Sequence, residues 1–309
     1  MRALFVGLGS IGTRHLKNLT ALCKEKNIPL EAYALRSSAR ELPAETAALL
    51  AGQFTELPQG EKWDLAFITN PTHLHALSLG QLAGRVDSFF IEKPIFEATG
   101  YDLEALGLDQ GQKAYVAAPM RWCGAFLALK DQMARLRPYS ARVICSSYLP
   151  DWRPNVDYRQ VYSAHRDMGG GVTIDLIHEW DYLVDLFGAP LESYNFKGTY
   201  SELEIDSDDL SVYIARYPTL LVEVHLDYFG RSYRRSIELF CKDGTVTADF
   251  GAGTVTLEDG RVIDCTEPVN RRYEREMEYF VNYSLQGTGE SINPPAQALQ
   301  VLKLTLGEM

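Results

Sequence analysis

The sequence predicts an α/β protein in two parts, and three observations carry that prediction. The first 120 residues alternate short apolar runs with segments of helical period, as βαβ units of a parallel sheet do. Residues 193–263 instead read as successive strands with turns at Lys242-Asp243-Gly244 and Glu258-Asp259-Gly260, the pattern of an antiparallel sheet built from hairpins. The character changes near Met120, and a chain of 309 residues has room for about two domains.

Taken in order, Ala3–Val6 is apolar and stops at Gly7, a first strand. Ile11 to Lys26 has helical spacing through Ile11, Leu16, Leu19 and Leu22. Strands are expected at 32–35, 65–69, 89–91 and 114–117, with helices at 44–50 and 75–82 between them. Beyond the boundary the pattern predicts a helix over 126–136 and a strand over 142–148. A polar, Arg-rich loop then runs to Met168, and a helix over 172–187 stops before Gly188 and Pro190. Helices at 272–285 and 296–306 close the chain.

Composition excludes several classes. With 46% hydrophobic and 23% charged residues this is a globular chain with a sizeable core. A net charge of −11 argues against nucleic acid or an anionic membrane as partner. The five cysteines are scattered, with no CxxC pair, so neither a disulfide framework nor a structural zinc site is expected. The first strand is expected to open the chain without a signal peptide, and no apolar run approaches the roughly 20 residues of a membrane span. A reducing cytoplasm is the expected location.

Gly7-Leu8-Gly9-Ser10-Ile11-Gly12 is a GxGxxG placed between a strand and a helix. Its glycines allow a tight turn and close backbone approach to a pyrophosphate, which the helix N-terminus favours. This predicts a dinucleotide-binding Rossmann domain; the alternative is a tight turn with no ligand. The second strand ends in Leu35-Arg36-Ser37-Ser38, without the acidic residue that binds the ribose hydroxyls of NAD. A guanidinium and hydroxyls suit a 2′-phosphate, so NADP is expected over NAD. Alternatively, Arg36 stacks on adenine or points to water.

Two further places carry chemistry. Lys93 follows the apolar run Phe89-Phe90-Ile91, at the strand edge where open α/β sheets bind ligands. Gly169-Gly170-Gly171 opens a segment in which helical spacing puts Asp175, His178, Glu179 and Tyr182 on one face and Leu176, Trp180, Leu183, Val184 and Phe187 on the other. A histidine can move a proton near neutral pH, an aspartate can hold its tautomer, and a lysine can polarise an oxygen. Alcohol oxidation needs that set beside a hydride acceptor; the alternative is an ordinary exposed polar face.

GLGSIG at 7–12, NPTHLHA at 70–76, EKP at 92–94 and GGGVTIDLIHEWD at 169–181 together resemble the glucose–fructose oxidoreductase/inositol dehydrogenase family (Gfo/Idh/MocA). The resemblance runs the length of the chain. It implies a Rossmann domain over 1–120 and a substrate-binding and oligomerisation domain over 121–309, an α+β domain with an open-faced, mainly antiparallel sheet. It implies an NAD(P)-dependent oxidoreductase acting on a sugar, cyclitol or related polyol, and a dimer or tetramer. Lys93 would be the motif lysine, with Asp175 and His178 as its partners and a cis Lys93–Pro94 bond. Gly7, Gly9, Ser10, Ile11, Gly12, Arg36, Ser37, Asn70, Pro71, His75, Glu92 and Lys93 would line the cofactor. The family's usual aspartate–histidine spacing is four; here it is three, a rotation of about 100° on an α-helix. That departure leaves open how Lys93 and His178 divide the proton chemistry.

Other features are weighed beside these. Trp152, Arg153, Arg159 and Tyr162 form an aromatic and basic loop in an acidic protein, suited to a sugar's carboxylate or phosphate or simply to a packed surface. His73-x-His75 and His178-x-x-Asp181 lack a third ligand at a recognised spacing, so no metal is expected. Asp206-Ser207-Asp208-Asp209 reads as a solvated turn, and Asn282-Tyr283-Ser284 as an unused glycosylation pattern. The expected function is hydride transfer between a nicotinamide and a hydroxyl or keto carbon. The alternatives are a non-catalytic NAD(P)-binding regulator on the same fold and an NAD-dependent glycosidase.

Overall fold

A computed structural model describes residues 1–37, 41–108, 111–286 and 289–309. In chain order the elements are β1 (Arg2–Val6), α1 (Ser10–Glu25), β2 (Glu31–Leu35), α2 (Ala44–Ala47), β3 (Gly52–Phe54), β4 (Trp63–Ile68), α3 (His75–Leu82), β5 (Val86–Ile91) and β6 (Lys113–Val116). There follow α4 (Gly124–Gln132), β7 (Ser140–Tyr148), α5 (Val172–Asp175), α6 (His178–Phe187), β8 (Glu192–Gly198), β9 (Leu210–Arg216) and β10 (Leu221–Asp227). The chain ends with β11 (Phe229–Cys241), β12 (Gly244–Asp249), β13 (Thr254–Thr256), β14 (Val262–Asp264), α7 (Asn270–Leu285) and α8 (Pro295–Leu306).

The chain divides into two compact units, Met1–Ala118 with Tyr273–Leu302, and Pro119–Arg272 with Lys303–Met309. The first unit thus includes most of the two closing helices, which the sequence reading assigned to 121–309. Tyr115 Oη and the Ala118 amide both donate to the buried Glu276 carboxylate of α7, at 2.8 and 2.7 Å, which fastens that helix to the end of β6. Met277, Phe280 and Val281 of the same helix join the core built on Phe5, Phe67 and Phe90.

The first unit's sheet has the order β3-β2-β1-β4-β5-β6 and every pair is parallel. β1, β4 and β5 are buried on both faces, which is why their sequences are continuous apolar runs. Strand order reverses between β1 and β4, the place where such sheets bind nucleotides. Val6, Ile68 and Ile91 lie in one register row, so Gly7, Thr69 and Glu92 come next at the same sheet edge.

The second unit's sheet has eight strands in the order β14-β13-β12-β11-β7-β10-β9-β8. It is mostly antiparallel, with one parallel pair, β7–β10. That pair arises because the chain between β7 and β10 crosses over through α5 and α6 instead of turning back at once. Trp180 of α6 meets Tyr213 of β9 edge-on, with ring centroids 5.2 Å apart.

One expected element differs in a way that bears on the site. The helix expected over 172–187 is two, α5 and α6, separated at Leu176, whose φ is −98° and ψ 29°. Ile177 N–H bonds to Ile174 at 3.3 Å and Glu179 N–H to Leu176 at 3.3 Å, an i to i−3 pattern. Asp175 and His178 are therefore not on one continuous α-helix, and the rotation of about 100° per residue does not apply between them.

Candidate active site

The glycine turn is built by close approach. Gly7 has φ +92°, and a Cβ there would stand 2.9 Å from the backbone of Asn70. A Cβ on Gly12 would stand 2.5 Å from the Gly7 carbonyl and 2.8 Å from Thr69 Oγ1, so α1 can sit against β1 and β4 only with glycine at that position. Gly9 differs: a Cβ there meets nothing within 4 Å, and Gly9 and Ser10 are exposed. The first turn of α1 has no side-chain cap and no acidic residue, so its N–H groups lack intrahelical acceptors and face a place open to an anion.

Across the switch point, Asn70 donates from Nδ2 to Ser78 Oγ at 2.9 Å, while its Oδ1 is buried without a partner among the described residues. An acceptor with no donor beside an open turn is what an absent ligand leaves. A dinucleotide therefore fits these residues. Pro71 is exposed beside it. His75 has an internal place instead. It is 1% exposed, and its two nitrogens lie 3.0 Å from the Ile95 and Asn70 carbonyls. Burial holds its pKa below the ordinary histidine range, against those carbonyls. It shapes the Asn70 turn and has no face left for a cofactor.

At the end of β2 the Arg36 guanidinium donates to Gln53 Oε1 at 2.9 Å, and Ser37 is exposed. Ser38 lies outside the described residues. At the end of β5 the Lys93–Pro94 peptide is cis and the Lys93 side chain is half-buried. Glu92 turns inward: Oε1 lies 2.6 Å from His15 Nε2 and Oε2 accepts the Lys93 N–H at 3.1 Å. Burial pushes the Glu92 carboxyl up, but His15 and Lys93 outweigh it and hold it below the usual glutamate range. Expected as a cofactor contact, Glu92 is internal bracing.

In the second unit, Asp175 is buried and both its oxygens are held: Tyr162 Oη donates to Oδ1 at 2.6 Å and Tyr228 Oη to Oδ2 at 2.5 Å. Burial, then the Asp175 charge, raises both phenols above their ordinary values, so they stay protonated as donors. His178 is half-buried at the start of α6. Glu179 and Tyr182, expected to share the polar face, are fully buried instead. Glu179 is neutralised by Arg235 of β11 through bonds of 2.7 and 3.1 Å, which lets that side of α6 be buried as well. Asp181 likewise binds Arg121, at 2.9 and 2.7 Å, so the His178-x-x-Asp181 pair is not a ligand set. Among the described residues, no three His, Cys, Asp or Glu side chains are grouped to hold a metal.

The Asp206–Asp209 segment is not a solvated turn. Asp208 Oδ2 accepts both Thr173 N–H at 2.9 Å and Thr173 Oγ1–H at 2.5 Å, capping α5 where Gly171 has φ +126°. Asp209 is fully buried and takes the amides of Tyr200 and Ser201, and Ser207 donates to the Ser163 carbonyl at 2.7 Å. These bonds set the start of α5 and the loop carrying Tyr162. In that loop Arg159 is matched by Asp157 at 2.8 Å and by Glu204 at 2.6 Å, so its charge is spent. Arg153 is exposed, near enough to Tyr162 to be felt by its hydroxyl. Trp152 donates to Ser147 Oγ at 3.0 Å and stands edge-on to Tyr228 at 5.2 Å.

His15, Asp208 and Tyr228 were missed from sequence. His15 stands three residues past the glycine turn, and the Asp208 signal was read as surface. No local pattern marks Tyr228, whose role exists only after β10 and β11 pair with β7.

Residues 1–106 match the family model GFO_IDH_MocA, described as an oxidoreductase family with an NAD-binding Rossmann fold. A comparison with curated proteins gives no match. Among solved structures, the UDP-N-acetylglucosamine 3-dehydrogenase GnnA from Acidithiobacillus ferrooxidans is 20% identical over 100% of this chain and 96% of that one, with TM-score 0.74. The WlbA dehydrogenase from Bordetella pertussis, in complex with NADH and UDP-GlcNAcA, is 21% identical over 99% and 94%, with TM-score 0.77. The myo-inositol 2-dehydrogenase from Lactobacillus plantarum is 16% identical over 100% and 96%, with TM-score 0.79. At these identities the likeness is one of fold. Residues 1–106, which carry the GLGSIG, NPTHLHA and EKP motifs, thus resemble the NAD-binding Rossmann part of the Gfo/Idh/MocA oxidoreductase family.

Proposed function

We propose that the protein transfers a hydride between a nicotinamide dinucleotide and a hydroxyl or keto carbon of a sugar, cyclitol or sugar derivative. The observation that carries this reading is the common edge of β1, β4 and β5. One register row brings the glycine turn, the unpartnered Asn70 oxygen and the Lys93 segment together. The nicotinamide, when bound, supplies or accepts the hydride. Lys93 polarises the substrate oxygen, His178 takes or returns its proton, and Asp175 serves as a fixed carboxylate that orients His178.

We favour NADP over NAD because Arg36 and Ser37 follow β2 where an acidic residue would bind the ribose of NAD. Tighter binding of NADH than NADPH in a titration would reverse that preference. The anionic-substrate reading passes to Arg153, since Arg159 is already paired. Trp152 and Tyr162 flank it as sugar-stacking surfaces. The described residues contain no helix long and apolar enough to cross a membrane. All five cysteines are free, which fits a cytoplasmic setting. Assembly as a dimer or tetramer through the open sheet face fits the exposed Tyr194, Phe196, Ile214 and Leu221 on that face. The test is a screen of polyols, aldoses, sugar acids and nucleotide sugars, followed by the absorbance of reduced nicotinamide. Net turnover with one class supports the reading; a bound dinucleotide that no class oxidises or reduces refutes it.

A further inference from the structure

His15 is fully buried on α1, one turn beyond the glycine motif, and its only hydrogen-bond partner among the described residues is Glu92. Nε2 lies 2.6 Å from Glu92 Oε1, while Nδ1 is buried without a partner. The ring is walled by aromatics: Phe90 at 4.6 Å, Tyr273 at 6.1 Å and Phe67 at 6.4 Å. A hydrogen on Nδ1 would be stranded there, so the ring's hydrogen belongs on Nε2, donating to the carboxylate. The other Glu92 oxygen takes the backbone N–H of Lys93 at 3.1 Å.

One carboxylate therefore clamps two functional segments. On one side is the helix that follows the dinucleotide turn, on the other the backbone of the lysine at the end of β5. The two are also linked by packing of the His15 ring on Phe90 and by strand pairing through β4, whose last register row is Ile68 and Ile91. The clamp begins where that pairing stops.

We propose that His15 is a positioning residue which, through Glu92, fixes Lys93 relative to the bound dinucleotide. The proposal rests on the reading that Lys93 stands at the cofactor. Its Nε2–H is the working atom, so glutamine, whose amide nitrogen reaches a similar place, should substitute for it. Asparagine, whose amide matches Nδ1 instead, should not.

The test needs no substrate. Reductive methylation of Lys93 is followed by peptide mass spectrometry in the wild type, H15Q, H15N, H15A and E92Q, with and without saturating NADPH or NADH, whichever binds tighter. Dinucleotide affinity and thermal midpoint are measured on the same samples. The expected result is protection of Lys93 by the dinucleotide in the wild type and H15Q. In H15N, H15A and E92Q protection weakens by about tenfold, the scale on which small misplacements act, while dinucleotide affinity moves less than about threefold. If H15A does not fold, the H15Q and H15N pair decides. Protection in H15N equal to wild type overturns the proposal, as does equal loss in H15Q and H15N at unchanged thermal midpoint. Absence of protection in the wild type overturns instead the reading of Lys93 on which it rests.

Discussion

Tyr228 donates its hydroxyl to Asp175 Oδ2 at 2.5 Å, and Tyr162 holds the other oxygen at 2.6 Å. A carboxylate held at both oxygens is a fixed acceptor, suited to the orienting role proposed for it. Replacing Tyr228 by Phe removes one bond to a charged group, worth about 1.5–3 kcal/mol, so kcat/KM should fall roughly 10- to 100-fold. Dinucleotide affinity, set in the other unit, should not change. Asp175→Asn with Tyr228→Phe should cost no more than Asp175→Asn alone; additive losses would show that Tyr228 does not act through Asp175.

The glycine turn separates folding from binding. Gly12→Ala forces a Cβ to within 2.5 Å of the Gly7 carbonyl and should lower the thermal midpoint or abolish soluble protein. Gly9→Ala meets no atom and should fold like the wild type while losing dinucleotide affinity by about tenfold, because the methyl occupies the open approach. Equal affinity in Gly9→Ala and wild type would remove the pyrophosphate from that turn.

Asp208 is a cap reached across 35 residues of sequence. Asp208→Ala should cost about 1–2 kcal/mol in denaturant unfolding, the ordinary scale of a lost helix cap. Turnover should fall with it, since α5 carries Asp175. A variant with wild-type midpoint would return the segment to a surface turn.

Acid should weaken the brace at Glu92. Its carboxyl is held below the usual glutamate range in the folded protein, so the unfolded chain binds more protons as pH falls. The stabilisation is present above the unfolded value, about 4.3, and is lost as pH drops through the folded one. Glu92→Gln should flatten the loss of stability below about pH 5 relative to wild type. An unchanged slope would contradict the assignment.

Much of the first unit was legible because its signals are local. Continuous apolar runs gave β1, β4 and β5, and the glycines gave the turn. β3 escaped because three residues, Gly52–Phe54, carry no pattern. In the second unit the strands were legible but their partners were not: the parallel β7–β10 pair depends on the crossover through α5 and α6. Glu179 was placed on a polar face because helical spacing cannot see Arg235, 56 residues away, which neutralises it in the core. His75 and Glu92 were expected at the cofactor because their motifs are contiguous with residues proposed to line it. Both are turned inward by bonds to the carbonyls of Asn70 and Ile95 and to His15. Tyr228 shows the same limit, since its link to Asp175 spans 53 residues.

The proposed chemistry is hydride transfer at a site where Lys93 polarises the substrate oxygen. It is tested most directly by C4-deuterated NADPH or NADH with the carbonyl compound that the substrate screen selects, comparing wild type with Lys93→Ala. Deuterium should appear at the reduced carbon with the wild type. With Lys93→Ala it should appear about 100-fold more slowly or beyond, at similar dinucleotide affinity, the scale of a lost proton-transfer or polarising group. Label transfer by Lys93→Ala at the wild-type rate would contradict the account.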